Sequence, residues 1–146
     1  MIMKNPLKKL ETNGVKFVRI IWCDNANIIR AKSIHIDYLK DTIQDGIKIA
    51  KAQMAIPVMY DAVVPSTDLS PVGEVTMIPD PDTLKVLPFA KGQASMIGDM
   101  TTLGDLEAWE HCPRAYLKRQ IARLEERGLS LKSVFENEFY LLKKDE

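Results

Sequence analysis

Val15-Lys16-Phe17-Val18-Arg19-Ile20-Ile21-Trp22-Cys23 is a run of β-branched and aromatic residues entered through Asn13-Gly14. That composition favours a half-buried pleated strand. Asp24-Asn25-Ala26-Asn27 follows, and Asp and Asn side chains bond the local backbone in tight turns. Ile28 to Ile34 then reads as the returning strand. The chain therefore opens with a β-hairpin.

Working outward, Lys4 to Asn13 is a polar lead-in with the makings of a helical turn. After the hairpin, Ile36 to Gly46 predicts a short helix, with Asp37 as N-cap, Leu39 and Ile43 one turn apart and Gly46 at its end. Ile47 to Ile56 fits no single template. Pro57, Pro65 and Pro71 punctuate Met59 to Gly73, which predicts a long irregular loop. Loops of that length without secondary structure are often functional. Three strands are expected next, Val75 to Ile78, Leu84 to Pro88 and Ala94 to Met100, with Pro79-Asp80-Pro81-Asp82 as a turn between the first two. Pro113 starts a helix with Leu117, Ile121 and Leu124 on one face and Gly128 as its stop. Leu129 to Leu142 reads as a final strand. The fold class is α+β: a mostly antiparallel sheet with one short helix over residues 14–105, then a further helix and strand in 106–146.

The bulk composition excludes several classes. The chain has 146 residues, 46% hydrophobic and 27% charged, which describes a globular domain. Twenty basic and 20 acidic side chains cancel, so the basic excess of a nucleic-acid binder is missing. No apolar run approaches the ~18 residues of a membrane span. The N-terminus has no apolar core of a signal peptide. Two distant cysteines, Cys23 and Cys112, suit inert thiols in a reducing cytoplasm better than a disulfide scaffold. His35 and His111 have no partner at helical spacing and read as surface or packing histidines. Trp22 and Trp109 read as packing residues, and Arg114 as the partner of a nearby carboxylate.

The chemistry-bearing feature is Phe135-Glu136-Asn137-Glu138-Phe139-Tyr140. On a strand, Glu136 and Glu138 share one face about 6.5–7 Å apart. Two readings are open from spacing alone. Both carboxylates can sit in water on an exposed strand face. Alternatively, the repulsion between them is relieved by divalent cations, since hard ions such as Mg²⁺ and Mn²⁺ prefer carboxylate oxygen.

Four stretches in order resemble the glutamine synthetase family. Phe135 to Tyr140 resembles the "x-E-x-E-F" strand that opens its catalytic domain, and Cys112-Pro113-Arg114-Ala115-Tyr116-Leu117-Lys118-Arg119 the "PR-x-x-L-K-R" helix before it. Glu74 to Thr83 resembles the family's "D-(apolar)-x-P-D-x-x-T" strand and turn, and Val18 to Lys32 its first hairpin. The likeness covers residues 14 to 142.

The resemblance implies a β-grasp N-terminal domain over 14–105 and the start of a catalytic domain over 106–146. It implies Glu136 as ligand of the metal between the ATP phosphates and Glu138 as ligand of the metal near the glutamate substrate. Asn137 departs from the residue usual between them. Asp61, in Met59-Tyr60-Asp61-Ala62, falls near the family's ammonium-binding Asp, although the usual "D-G-S-S" is absent; otherwise it is a solvated loop residue. The implied activity is ATP-dependent ligation of glutamate and ammonia through γ-glutamyl phosphate, with Mg²⁺ or Mn²⁺, in a cytoplasmic homo-oligomeric ring. A polyamine or methylamine as amine, or a non-catalytic β-grasp interaction module, are the alternatives. The chain ends in Lys143-Lys144-Asp145-Glu146 with no closing element, so it reads as the front part of a longer enzyme and as inactive alone.

Overall fold

The computed structural model describes residues 4–57, 59 and 62–144. Helix α1 (Lys4–Thr12) leads into strands β1 (Phe17–Cys23) and β2 (Ile29–His35), the expected hairpin. A 3₁₀ turn (Ile36–Tyr38) passes into helix α2 (Leu39–Asp45), followed by β3 (Ile47–Ala50) and another 3₁₀ turn (Lys51–Met54). The long loop contains one 3₁₀ turn, Pro65–Thr67. Strands β4 (Glu74–Val86) and β5 (Gln93–Thr101) and helix α3 (Pro113–Glu125) complete the regular structure.

The five strands form one sheet in the order β2-β1-β5-β4-β3. Only the central β1–β5 pair is parallel. This is the β-grasp-like, mostly antiparallel architecture that the sequence implied. Period-two alternation selects the inner face: Val18, Ile20 and Trp22 of β1 are buried, as are Ala94, Met96 and Met100 of β5. Val75 and Met77 of β4, Ile49 of β3, Leu39 of α2 and Leu10 of α1 close the same core. Burying each such large side chain contributes roughly 1.5–3 kcal/mol relative to exposure.

Four local expectations are corrected. The side-chain cap is His35, before the 3₁₀ turn, whose Nδ1 accepts from the Asp37 N–H at 3.4 Å; Asp37 lies inside that turn, and α2 itself starts after Tyr38 with no side-chain cap. Gly46 does end α2, but with φ 73° and ψ −175° rather than in the left-handed helical region. The expected turn at Pro79-Asp80-Pro81-Asp82 does not divide two strands. It is a bulge within β4, between the pairs Asp80↔Ile97 and Lys85↔Ser95. Its residues stay tied to the sheet. The Thr83 hydroxyl donates to the Asp80 carbonyl at 2.6 Å and accepts from the Ile97 N–H at 2.8 Å. Finally, residues 129–144 contain no strand. A strand exists only through a partner's backbone donors and acceptors, and none is opposite this segment among the described residues.

Candidate functional site

Helix α3 delivers the carboxylate segment. Pro113 occupies its first turn, where a missing N–H costs nothing. Its end is closed by a left-handed glycine motif. Gly128 has φ 69°, its N–H donates to the Glu125 carbonyl at 2.9 Å, and the Leu129 N–H reaches back to Leu124 at 3.0 Å. The chain then leaves the domain surface. Every residue from 129 to 144 is exposed, including Phe135 and Tyr140 at 93% each. Glu136 and Glu138 therefore stand in solvent, and neither forms an ion pair or hydrogen bond among the described residues.

These two carboxylates suit a hard cation as oxygen donors. Each carboxylate could fill one of the roughly six ligand positions that a Mg²⁺ ion takes. Among the described residues no group of three or more His, Cys, Asp or Glu side chains is placed to hold a metal ion. The pair is thus a partial donor set. Asp61, the other residue singled out in the sequence, lies outside the described residues.

The loop that carries it is nevertheless tied to the first hairpin. Asp24 is buried; its Oδ1 accepts from the N–H groups of Ala26 and Ile28, each at 2.9 Å, and its Oδ2 from Arg30 Nε at 2.7 Å. Arg30 Nη2 donates onward to the Ile56 carbonyl, just before Pro57, and the Asn25 N–H donates to Met54 at 3.2 Å. The hairpin turn thus anchors the entrance to the loop.

A second polar cluster sits where α3 meets the sheet. Arg114 Nη2 donates to Asp80 Oδ2 at 2.6 Å and Nη1 to Asp99 Oδ2 at 2.8 Å. Lys118 Nζ reaches the same Asp99 oxygen at 2.6 Å. Arg114 does pair with carboxylates, as its sequence context suggested; Asp99 and Lys118 were not anticipated as partners. The signal for Lys118 was its position four residues after Arg114, one turn along the same face. Partial burial works against the ionised form of Asp80, but the Arg114 hydrogen bond, the Asp82 N–H and the charges of Arg114 and Lys118 outweigh it and hold the carboxyl below its ordinary pKa. Burial likewise opposes the Arg114 charge, and bonding to Asp80 and Asp99 reverses this, raising its pKa.

Beside this cluster, Ile21, Cys23, Ile29 and Ile97 face Cys112 and Pro113 across an apolar cleft of about 160 Å³. Cys112 is buried and Cys23 half-buried, both as free thiols. Trp22 and Trp109 are buried, in keeping with packing roles. His111 stacks edge-on against Trp109 with ring centroids 5.1 Å apart, and His35 against Phe17 at 5.3 Å. No helix among the described residues is long and apolar enough to cross a membrane.

The five-stranded, mostly antiparallel sheet with α3 after it defines a β-grasp-like α+β domain. A family model described as the glutamine synthetase N-terminal domain matches residues 4–113, and one for the glutamine synthetase catalytic domain matches residues 110–146. The chain belongs to the glutamine synthetase family. Type-1 glutamine synthetase 1 of Dictyostelium discoideum is 33% identical over 99% of this chain and 31% of its own length. Gamma-glutamylanilide synthase of Acinetobacter sp is 28% identical over 94% of this chain and 30% of its own length. Glutamate–isopropylamine ligase of Pseudomonas sp is 27% identical over 91% of this chain and 30% of its own length. The fold matches a solved GmaS/ADP complex with a TM-score of 0.70, at 23% identity, over 86% of this chain and 26% of that one. The chain thus spans about a third of the length of these curated relatives.

Proposed function

We propose that this chain is the N-terminal portion of an ATP-dependent glutamate–amine ligase, with ammonia as the amine, acting in nitrogen assimilation. The carrying observation is the Glu136-Asn137-Glu138 triplet, held out from α3 within the stretch that matches the family's catalytic-domain model. In this reading Glu136 holds the cation beside the ATP phosphates and Glu138 the cation beside the glutamate carboxylate. Bound Mg²⁺ or Mn²⁺ supplies charge neutralisation for phosphoryl transfer to the γ-carboxylate. The two glutamates would hold those cations, whose charge would neutralise the phosphoryl oxygens and the γ-carboxylate. The remaining ligands, the nucleotide pocket and the glutamate clamp are assigned to the part of the relatives' length that this chain does not span. The β-grasp sheet, spanning 14–105, packs against a neighbouring subunit's catalytic domain in a homo-oligomeric ring, and Asp61 from its long loop binds the ammonium there. Residues 106–146 begin the catalytic domain.

A small organic amine is the second reading. It is left open by Met59-Tyr60-Asp61-Ala62, which lacks the family's usual "D-G-S-S". The test is ATP-dependent product formation by the complete gene product with glutamate, Mg²⁺ and, in turn, ammonium, methylamine and isopropylamine, followed by mass spectrometry. Glutamine as the main product supports the first reading. A γ-glutamyl alkylamide as the main product supports the second. ATP left unconsumed with every amine removes both and leaves a non-catalytic interaction module.

A further inference from the structure

We propose that Arg114 is a positioning residue, which fixes the direction of α3 against the sheet by bridging Asp80 on β4 and Asp99 on β5 at once. The consequence for catalysis rests on the function proposed above; the orientation of α3 does not.

Three observations carry this. First, α3 has little apolar anchorage. Ala115 is its one buried residue, while Tyr116 and Leu117 are more than half exposed. Hydrophobic contact is non-directional, and full burial is confined to the first turn, with Ile121 and Leu124 only half-buried, so it sets the helix angle weakly. Second, the polar contacts are directional. A guanidinium is a planar fork, and its two terminal nitrogens reach carboxylates on two adjacent strands, at 2.6 Å and 2.8 Å. A swing of α3 toward either strand breaks the bond to the other. Lys118, one turn along, adds a contact to Asp99 that resists rotation about the helix axis. Third, the Asp80 carboxylate is held independently of α3 and Asp99 is fixed through its strand backbone, its Oδ1 having no hydrogen-bond partner among the described residues. Asp80 lies in the β4 bulge, with its Oδ1 accepting from the Asp82 N–H at 3.1 Å, and Asp99 lies on β5 opposite Ile78.

The cluster therefore joins three positions far apart in sequence. Asp80 belongs to the "P-D" turn and Arg114 and Lys118 to the "P-R-x-x-L-K-R" helix, two of the stretches that carry the family resemblance. It stands where the match to the N-terminal domain gives way to the match to the catalytic domain. Setting α3 at this point sets where the chain departs toward Glu136 and Glu138. The partial burial of all three groups, with about a quarter or less of each side chain exposed, keeps the bonds from being lost to water. The lowered pKa of Asp80 and the raised pKa of Arg114 agree with mutual stabilisation of the charged forms.

The test compares the 146-residue chain with its Arg114→Met and Arg114→Lys variants by NMR residual dipolar couplings. Methionine keeps the apolar stem and removes the fork; lysine keeps the charge but bonds one carboxylate at a time. In Arg114→Met the couplings of the five strands should stay on one alignment tensor, while those of α3 shrink or need a tensor of their own. Arg114→Lys should restore only part. Should α3 in Arg114→Met still share the sheet's tensor, Arg114 is not the positioning residue. Where Arg114→Met loses the strand couplings too, the shape-preserving Asp80→Asn variant is read in the same way. In the complete ligase, a 1 Å misplacement can cost roughly 100-fold in rate. Arg114→Met should therefore lower kcat by about 10- to 100-fold with KM for ATP little changed, and Arg114→Lys should recover part of kcat. An unchanged kcat overturns the catalytic consequence. A wild-type protein without ligase turnover refutes the proposed function instead, and the couplings still decide the role of Arg114.

Discussion

Arg30 Nε lies 2.7 Å from Asp24 Oδ2, and the Asp24 side chain is fully buried at the turn of the first hairpin. One carboxylate thus closes the turn through the Ala26 and Ile28 N–H groups and, through Arg30, reaches the Ile56 carbonyl at the mouth of the long loop. Asp24→Ala removes all three bonds to that carboxylate. It should destabilise the fold by about 3 kcal/mol, the range for breaking a buried charge network. Arg30→Met leaves the two backbone bonds in place and should cost less. Urea denaturation monitored by Trp22 and Trp109 fluorescence checks the order; an Asp24→Ala variant no weaker than Arg30→Met would contradict it.

Gly46 has φ 73°, and a β-carbon there would lie 2.5 Å from Thr76 Cγ2, 2.6 Å from Ile78 Cδ1 and 3.0 Å from the Met77 carbonyl oxygen. The last contact is backbone and cannot turn aside. Gly46→Ala combines a positive φ with overpacking and should cost about 1–3 kcal/mol. Gly14→Ala, also at positive φ but with open space around it, should cost less. The difference in denaturation midpoint between the two variants measures the steric part.

The Asp80 pKa is lower folded than unfolded. Its contribution is therefore complete above the unfolded carboxylate value, near ~4, and is lost as pH falls through the folded value. Wild-type protein should lose stability on the acid side of ~4, and Asp80→Asn should flatten that limb while being weaker at neutral pH. Arg114, with its pKa raised from an already high value, adds no slope in that range. Melting temperatures from pH 2 to 7 in both proteins test this, and parallel curves would exclude Asp80 as a source of the slope.

Glu136 and Glu138 are solvent-exposed and unpaired among the described residues. Glu136→Gln and Glu138→Gln should each leave the melting temperature of the 146-residue chain unchanged. In the complete ligase each should cut turnover by orders of magnitude, since each removes a charged metal ligand. Near-normal rates in both variants would reduce the pair to a solvated segment.

Residues 129–144 expose Phe135, Phe139, Tyr140, Leu141 and Leu142 and pair with no strand. Exposed apolar side chains in such a cluster drive association, and unpaired backbone adds a template for it. The 146-residue chain should self-associate with rising concentration on size exclusion, and its amides over 130–144 should exchange far faster than those of β1 and β5. Phe135→Ser with Phe139→Ser should weaken the association. A concentration-independent monomer with a protected tail would mean that this segment has found its cover within the chain.

Much of the sheet was legible because its signals are local. Val15 to Cys23 is rich in β-branched and aromatic residues and is entered through Asn13-Gly14, which assigns the strand; that Val18, Ile20 and Trp22 form its buried face is seen only in the structure. The same reasoning misplaced the Pro79–Asp82 segment. Two prolines and two aspartates look like a turn, yet the Thr83 hydroxyl donates to the Asp80 carbonyl within β4 and accepts from the Ile97 N–H of β5, which keeps the strand whole. That decision belongs to a partner strand remote in sequence. It predicted a closing strand over Leu129 to Leu142 that the structure lacks, for the converse reason: the segment has the composition of a strand, but pairing needs a neighbour that is not there among the described residues.

The sequence by itself determined the hairpin, the placing of α3 between Pro113 and Gly128, and the glutamate pair at 136 and 138. Each depends on φ preferences, side-chain periodicity or residue chemistry within a few positions. Tertiary structure alone decided the parallel pairing of β1 with β5, the continuity of β4 and the meeting of Asp80, Asp99, Arg114 and Lys118. Those outcomes turn on which backbone donors and charges face one another across the sheet, and sequence separation carries no record of that distance.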